Sequence, residues 1–125
     1  MASPVRALPD YMSVKLNTRE SGDVMVIDVS GRITLGEGSG AVRDAVRGLA
    51  ATGSKKILLN LREVWYIDSS GIGELASGYT SMANAGGELK LLSLTKRVRE
   101  MLQITGLYTV FDVHENEAEA VRSYA

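Results

Sequence analysis

The sequence predicts an α/β domain: a small mixed, mostly parallel sheet flanked by helices, in the order β-β-α-β-α-β-α-β-α. Three observations predict it. Strand-like and helix-like segments alternate after the first hairpin, and strands separated by helices need crossovers, which build a mostly parallel sheet. The cluster Glu20-Ser21-Gly22-Asp23 is a short turn between two strand-like segments, which makes those two an antiparallel hairpin. Lys56 to Leu61 holds a short apolar run, as a parallel strand buried on both faces does.

Taken in order, Val14 to Thr18 alternates apolar and polar residues like a half-exposed strand, and Val24 to Ser30 is β-branched and apolar, with Gly31 ending it. Ala41, Val42, Ala45, Val46 and Leu49 recur at helical spacing opposite Arg43, Asp44 and Arg47, and Thr52-Gly53 stops that helix. The third strand starts at Lys56, and Trp65-Tyr66-Ile67 continues in extended style to Asp68; alternation places one of the two aromatic residues in the core and the other on a rim. The clearest helix follows, with Ile72, Leu75, Ala76, Tyr79, Met82 and Ala83 on one face and Gly86-Gly87 past its end. Leu89 to Leu92 is a strand. Thr95 caps a helix running to Thr105, with Val98, Met101 and Leu102 inward and Gly106 closing it. Val110 to Val113 is a last short strand. Asn116 and Glu119 form a capping-box pattern for a final helix with Ala118 and Val121 inward.

Composition narrows the function. The chain has 125 residues, enough for one domain, with 14 basic and 15 acidic side chains and a net charge of -1. That balance gives no electrostatic reason for a nucleic-acid or anionic-membrane partner. Without cysteine there is no disulfide, thiolate metal site or cysteine nucleophile, and a single histidine, His114, excludes a multi-histidine metal site. No apolar run approaches the roughly 20 residues that span a bilayer. Residues 1–11 read as a disordered leader without a signal-peptide core, leaving 12–125 as the domain; a reducing, cytoplasmic setting fits the lack of cysteine.

The informative segment is Ile67-Asp68-Ser69-Ser70-Gly71-Ile72-Gly73, where a strand ends and the best helix begins. Helix N-termini present free N–H groups and partial positive charge, so they suit anions. Asp68, Ser69 and Ser70 are all competent caps, and a plain capped turn accounts for them. Gly71 and Gly73 do not fit that plain account, since each costs roughly 1 kcal/mol against Ala in a helix. They become understandable where another protein must approach the backbone closely. Gly78, deeper in the helix, reads as close helix packing.

The Asp68-Ser69-Ser70-Gly71-Ile72-Gly73 stretch, preceded by Leu59-Asn60-Leu61, resembles the signature of STAS domains and, more narrowly, of bacterial anti-sigma-factor antagonists. Gly31-Arg32, Gly86-Gly87 and Thr105-Gly106-Leu107 extend the resemblance across nearly all of residues 12–124. It implies partner switching. The unphosphorylated antagonist binds an anti-sigma factor and frees a sigma factor. The anti-sigma factor is also a serine kinase, which phosphorylates the serine after the aspartate, here Ser69, and a serine phosphatase reverses the step. ATP and magnesium belong to the kinase, so no cofactor is implied for this chain, and the chain itself is not an enzyme. The implied partner-binding residues are Asp68, Ser69, Ser70, Gly71 and Ile72, with Arg32 and Thr34.

Physics supports such a switch independently. A phosphate adds roughly -1.5 to -2 charge at neutral pH. The helix dipole tolerates it, whereas a tight interface must desolvate it beside Asp68.

Other readings are weaker. Gly36-x-Gly38-x-x-Ala41 matches a dinucleotide fingerprint on paper, but residues 31–35 separate it from the preceding strand. A hydrolase with Ser69, Asp112 and His114 lacks the elbow glycine, since Ile67 stands in its place. Lys96, Arg97 and Arg99 read as a solvated helix face balanced by Glu100. A scaffold or transporter-associated STAS module that binds without phosphorylation is the remaining alternative.

Overall fold

The hairpin forms as its sequence requires. Val14–Ser21 (β1) pairs antiparallel with Val24–Ile33 (β2) across a turn at Gly22, whose φ of 63° suits glycine. This computed structural model describes residues 14–34 and 40–124. The predicted leader over 1–11 and the glycine-rich loop apart from Gly40 lie outside the described residues.

From β2 the chain enters Ala41–Ala51 (α1), Lys56–Ile67 (β3), Ser69–Asn84 (α2), Glu88–Leu92 (β4), Lys96–Ile104 (α3), Val113–His114 (β5) and Glu117–Arg122 (α4). The five strands lie in the order β1-β2-β3-β4-β5, with every pairing after the hairpin parallel. The predicted class and element order are therefore those of the protein.

The sheet has two unequal faces. α1, α2 and α3 cover one, where Val42, Val46, Ile72, Leu75, Met82, Val98 and Leu102 meet Ile27, Ile57, Leu59, Val64, Ile67 and Leu91 in the main core. α4 covers part of the other, where Ala120 and Tyr124 pack on Val24, Val26, Leu58 and Leu92. β3 supplies buried residues to both clusters, as its apolar run requires.

Side chains set the helix boundaries. Asp68 and Thr95 cap α2 and α3, and Asn116 accepts from the Glu119 N–H to cap α4. α1 has no side-chain cap of its own; Glu74, buried on α2, accepts from the Val42 N–H at 3.3 Å in its first turn. Gly78 lies at the α1–α2 contact, where a Cβ would sit 3.4 Å from Val46, in line with the packing role expected for it.

Several sequence expectations need correction. β2 passes through Gly31 to Ile33, because Gly31, at φ 100°, accommodates an irregularity in the strand. β5 is Val113–His114, not Val110 to Val113; Val110 is exposed in the turn before it and Phe111 turns into the core. Ala83 is exposed although Met82 beside it is buried as expected, and Ala118 is exposed while Ala120 is buried in its place. Apolar periodicity does not say which alanine of a helix faces its neighbour, because a methyl group carries little transfer energy either way.

Candidate partner-binding site

The parallel strands β2 and β3 end together, and the candidate residues gather there. Ile33 pairs with Ile67, so Thr34 and Asp68 leave the sheet side by side, and the Asp68 N–H points at the Ile33 carbonyl at 3.5 Å. The Asp68 side chain accepts from the Gly71 N–H at 3.0 Å, while its backbone carbonyl takes the first helical bond from Ile72. One carboxylate thus closes the turn. Ser69 and Ser70, which follow it, are exposed.

The glycines of this turn have different causes. Gly71 is buried, and a Cβ there would sit 2.1 Å from the Ile33 carbonyl oxygen and 2.6 Å from an Ile67 side-chain carbon. It is glycine because the helix start packs directly on the strand ends. The expectation that its missing side chain makes room for a partner therefore gives way to packing within the fold. Gly73 is exposed, and a Cβ there would meet nothing within 4 Å. It is the glycine that leaves the helix surface bare. Ile72 is buried in the main core.

Beside this turn lies a cluster that the sequence did not announce. Between Asp28 and Arg32, β2 faces a stretch of β3 from Asn60 to Tyr66 that is two residues longer, so the register shifts twice. Val64 and Ile67 both enter the main core although three residues apart, and Trp65, the extra residue of the second shift, is turned outward and 50% exposed. Tyr66 is half-buried. The expectation that one of these aromatics is core fails because the bulge breaks the alternation on which it rested.

Two guanidinium groups lie against them. Arg32 stands 5.3 Å from the Tyr66 ring centre and 5.9 Å from that of Trp65, and Arg97 stands 4.4 Å from the Tyr66 ring. Arg97 also donates from Nε to the Ile67 carbonyl at 3.0 Å, and Thr95 donates its hydroxyl to the Val64 carbonyl at 2.9 Å. β4 pairs with β3 only from Lys56 to Asn60, so the start of α3 serves the free edge that β3 leaves beyond it. The basic run of α3 is accordingly not one solvated face. Lys96 alone is fully exposed near Glu100, and Arg99 turns to the Tyr108 hydroxyl and Glu115. Arg97 lies in this cluster, where the sequence reading did not place it; its only signal was its position two residues after a capping threonine.

The hydrolase alternative fails on position. Asp112 and His114, 3.1 Å apart, lie at β5, where His114 aligns with Leu92 and, through it, with Asn60. Ser69 lies beyond the C-terminal end of β3 and two strands away, about 25 Å or more off at ordinary strand spacing and rise. Asp112 is occupied by Lys90 at 3.0 Å. Among the described residues no group of acidic and imidazole side chains could hold a metal ion, and no helix is long and apolar enough to cross a membrane.

The STAS domain profile matches residues 15–120. The anti-sigma-B factor antagonist of Bacillus subtilis is 26% identical over 102 residues, which cover 82% of this chain and 92% of that protein. Two solved structures share the fold. An anti-sigma factor antagonist from Mycobacterium paratuberculosis superposes with a TM-score of 0.79 at 22% identity, over 95% of this chain and 98% of its own. The Bacillus cell fate determinant SpoIIAA in its phosphorylated form does so at 0.66 and 20% identity, over 86% and 97%. A profile that runs from β1 into α4 takes in the whole Ser69 turn and the sheet around it, and the chain belongs to the STAS domain family.

Proposed function

We propose that this protein is a phosphorylation-controlled antagonist in the cytoplasm: unphosphorylated, it binds an anti-sigma factor that is also a serine kinase; phosphorylated on Ser69, it lets go. The observation that carries this reading is the division of labour at the start of α2. Asp68 alone performs the capping, so the neighbouring Ser69 hydroxyl is exposed and unneeded by the fold. A phosphoryl group there meets the positive end of a 16-residue helix, which stabilises it. The fold therefore survives the modification. The interface does not, because a dianion next to Asp68 must be stripped of water against the partner. That a relative of the same fold exists in a phosphorylated form supports the reading. A serine phosphatase resets the cycle, and ATP with magnesium enters through the kinase.

The test is labelling by the cognate anti-sigma factor with ATP and magnesium, followed by mass-spectrometric mapping. One phosphate per chain at Ser69, lost in Ser69→Ala, is expected. Undiminished labelling of Ser69→Ala at Ser70 assigns the switch to the other exposed hydroxyl and overturns this assignment.

A further inference from the structure

The Arg32 guanidinium is the least satisfied polar group at this end of the protein. Its Nε is sealed from solvent, and no acceptor meets it among the described residues. A buried N–H without a partner destabilises the fold, and such groups are rare enough that each needs a cause. Arg97, its neighbour across Tyr66, is bound to a backbone carbonyl but, among the described residues, to no carboxylate. Elsewhere half-buried guanidinium groups meet carboxylates: Arg19 with Asp28 and Glu117, Arg43 with Asp44, Arg99 with Glu115. The two arginines nearest Ser69 are the exception, and stacking on Tyr66 and Trp65 holds them in place.

We propose that Arg32 and Arg97, clamped on Tyr66 with Trp65 alongside, are a receptor for carboxylate side chains of the anti-sigma factor, so that the partner presents an acidic surface to the Ser69 end. This rests on the function proposed above and deepens it by naming the chemistry of the partner's contact. Charge complementarity selects the occupant. Two guanidinium groups with fork geometry and no carboxylate among the described residues suit Asp or Glu, and arginine, tryptophan and tyrosine are the residues in which interface energy concentrates. The second register shift of β3 builds the platform, since it turns Trp65 outward beside Arg32. An incoming carboxylate supplies the missing acceptor for Arg32, and the stacking means that little side-chain freedom is lost on binding.

The experiment measures binding of the purified anti-sigma factors of the source organism to the full chain and to Arg32→Gln, at low and high salt. Arg32 donates no hydrogen bond within the described fold, so Arg32→Gln is expected to melt as the wild type does. Affinity is expected to fall about tenfold or more, with a shallower dependence on salt. Arg97→Gln is expected to lose affinity too, with some loss of melting temperature because the Ile67 carbonyl loses its donor. Wild-type affinity and an unchanged salt slope in Arg32→Gln overturn the carboxylate receptor while leaving the antagonist function standing. Failure of every anti-sigma factor to bind the wild type overturns both.

Discussion

Arg19 and Arg32 both belong to the opening hairpin and both are half-buried, yet their surroundings are opposite. Arg19 joins the Asp28 carboxylate at 2.7 and 3.1 Å and the Glu117 carboxylate at 2.7 and 2.9 Å, and Asn60 donates to Asp28 as well. Those bonds tie β1, β2, β3 and α4 together on one face of the sheet. Arg32 touches two aromatic rings and, among the described residues, no carboxylate. The region whose charges are consumed internally maintains the fold. The region whose cations, serines and bare glycine surface are left over is the one available to another molecule.

The contrast is sharpest if the Ser69 end is firm in its frame and open only at its surface. Gly71→Ala tests the frame and has the largest expected effect. The added Cβ collides with the backbone of Ile33, which cannot move without disturbing the β2–β3 pairing. A loss of about 2–3 kcal/mol by denaturant unfolding is expected. Unchanged stability breaks the account of how the turn is held.

Arg19→Ala tests the opposite region. The pair of carboxylates lies partly in solvent, so a loss of about 1 kcal/mol is expected at neutral pH. Hydrogen bonds from Arg19 hold the Asp28 and Glu117 carboxyl groups below their ordinary range. Their folded values lie below the unfolded ones, so the stabilisation is present above the ordinary carboxylate range. It is lost as pH falls through that range, near 4, to the lowered folded values. The gap in stability between wild type and Arg19→Ala is therefore expected to narrow on acidification. A gap independent of pH contradicts an ionic origin.

Gly73→Ala has the smallest expected effect and returns to the Ser69 end. Its Cβ meets nothing, so the substitution raises helix propensity and stability by up to about 1 kcal/mol. Partner binding is expected to weaken in the same variant. Raised stability with unaltered binding shows that this glycine has no part in the interface.

Much of the fold was legible because local chemistry and global arrangement agree. Thr95 and Asn116 cap the helices they were expected to cap, Asp68 is the one of three candidates that caps α2, and the run Ile57-Leu58-Leu59 occupies both faces of the sheet as its hydrophobicity demands. The signature singled out Ser69, and the structure leaves that residue exposed. Three things were not legible, each for a physical reason. Gly71 reads identically whether a partner or its own strand crowds it; only the position of the Ile33 carbonyl decides. The outward turn of Trp65 follows from two register shifts, which no alternation pattern announces. Arg97 becomes part of the site because β4 stops short and leaves the Ile67 carbonyl without a strand partner, a relation between segments 30 residues apart.

The central claim is that modification of Ser69 ends binding without disturbing the fold. Stoichiometrically phosphorylated and unphosphorylated protein, compared for melting temperature and for affinity toward the same anti-sigma factor, test it directly. The account predicts a retained cooperative melt within a few degrees of the unmodified protein, with affinity lowered about a hundredfold or more by the desolvated phosphate. Phosphorylated protein that binds with undiminished affinity, or that binds poorly only because its cooperative melt has gone, contradicts it.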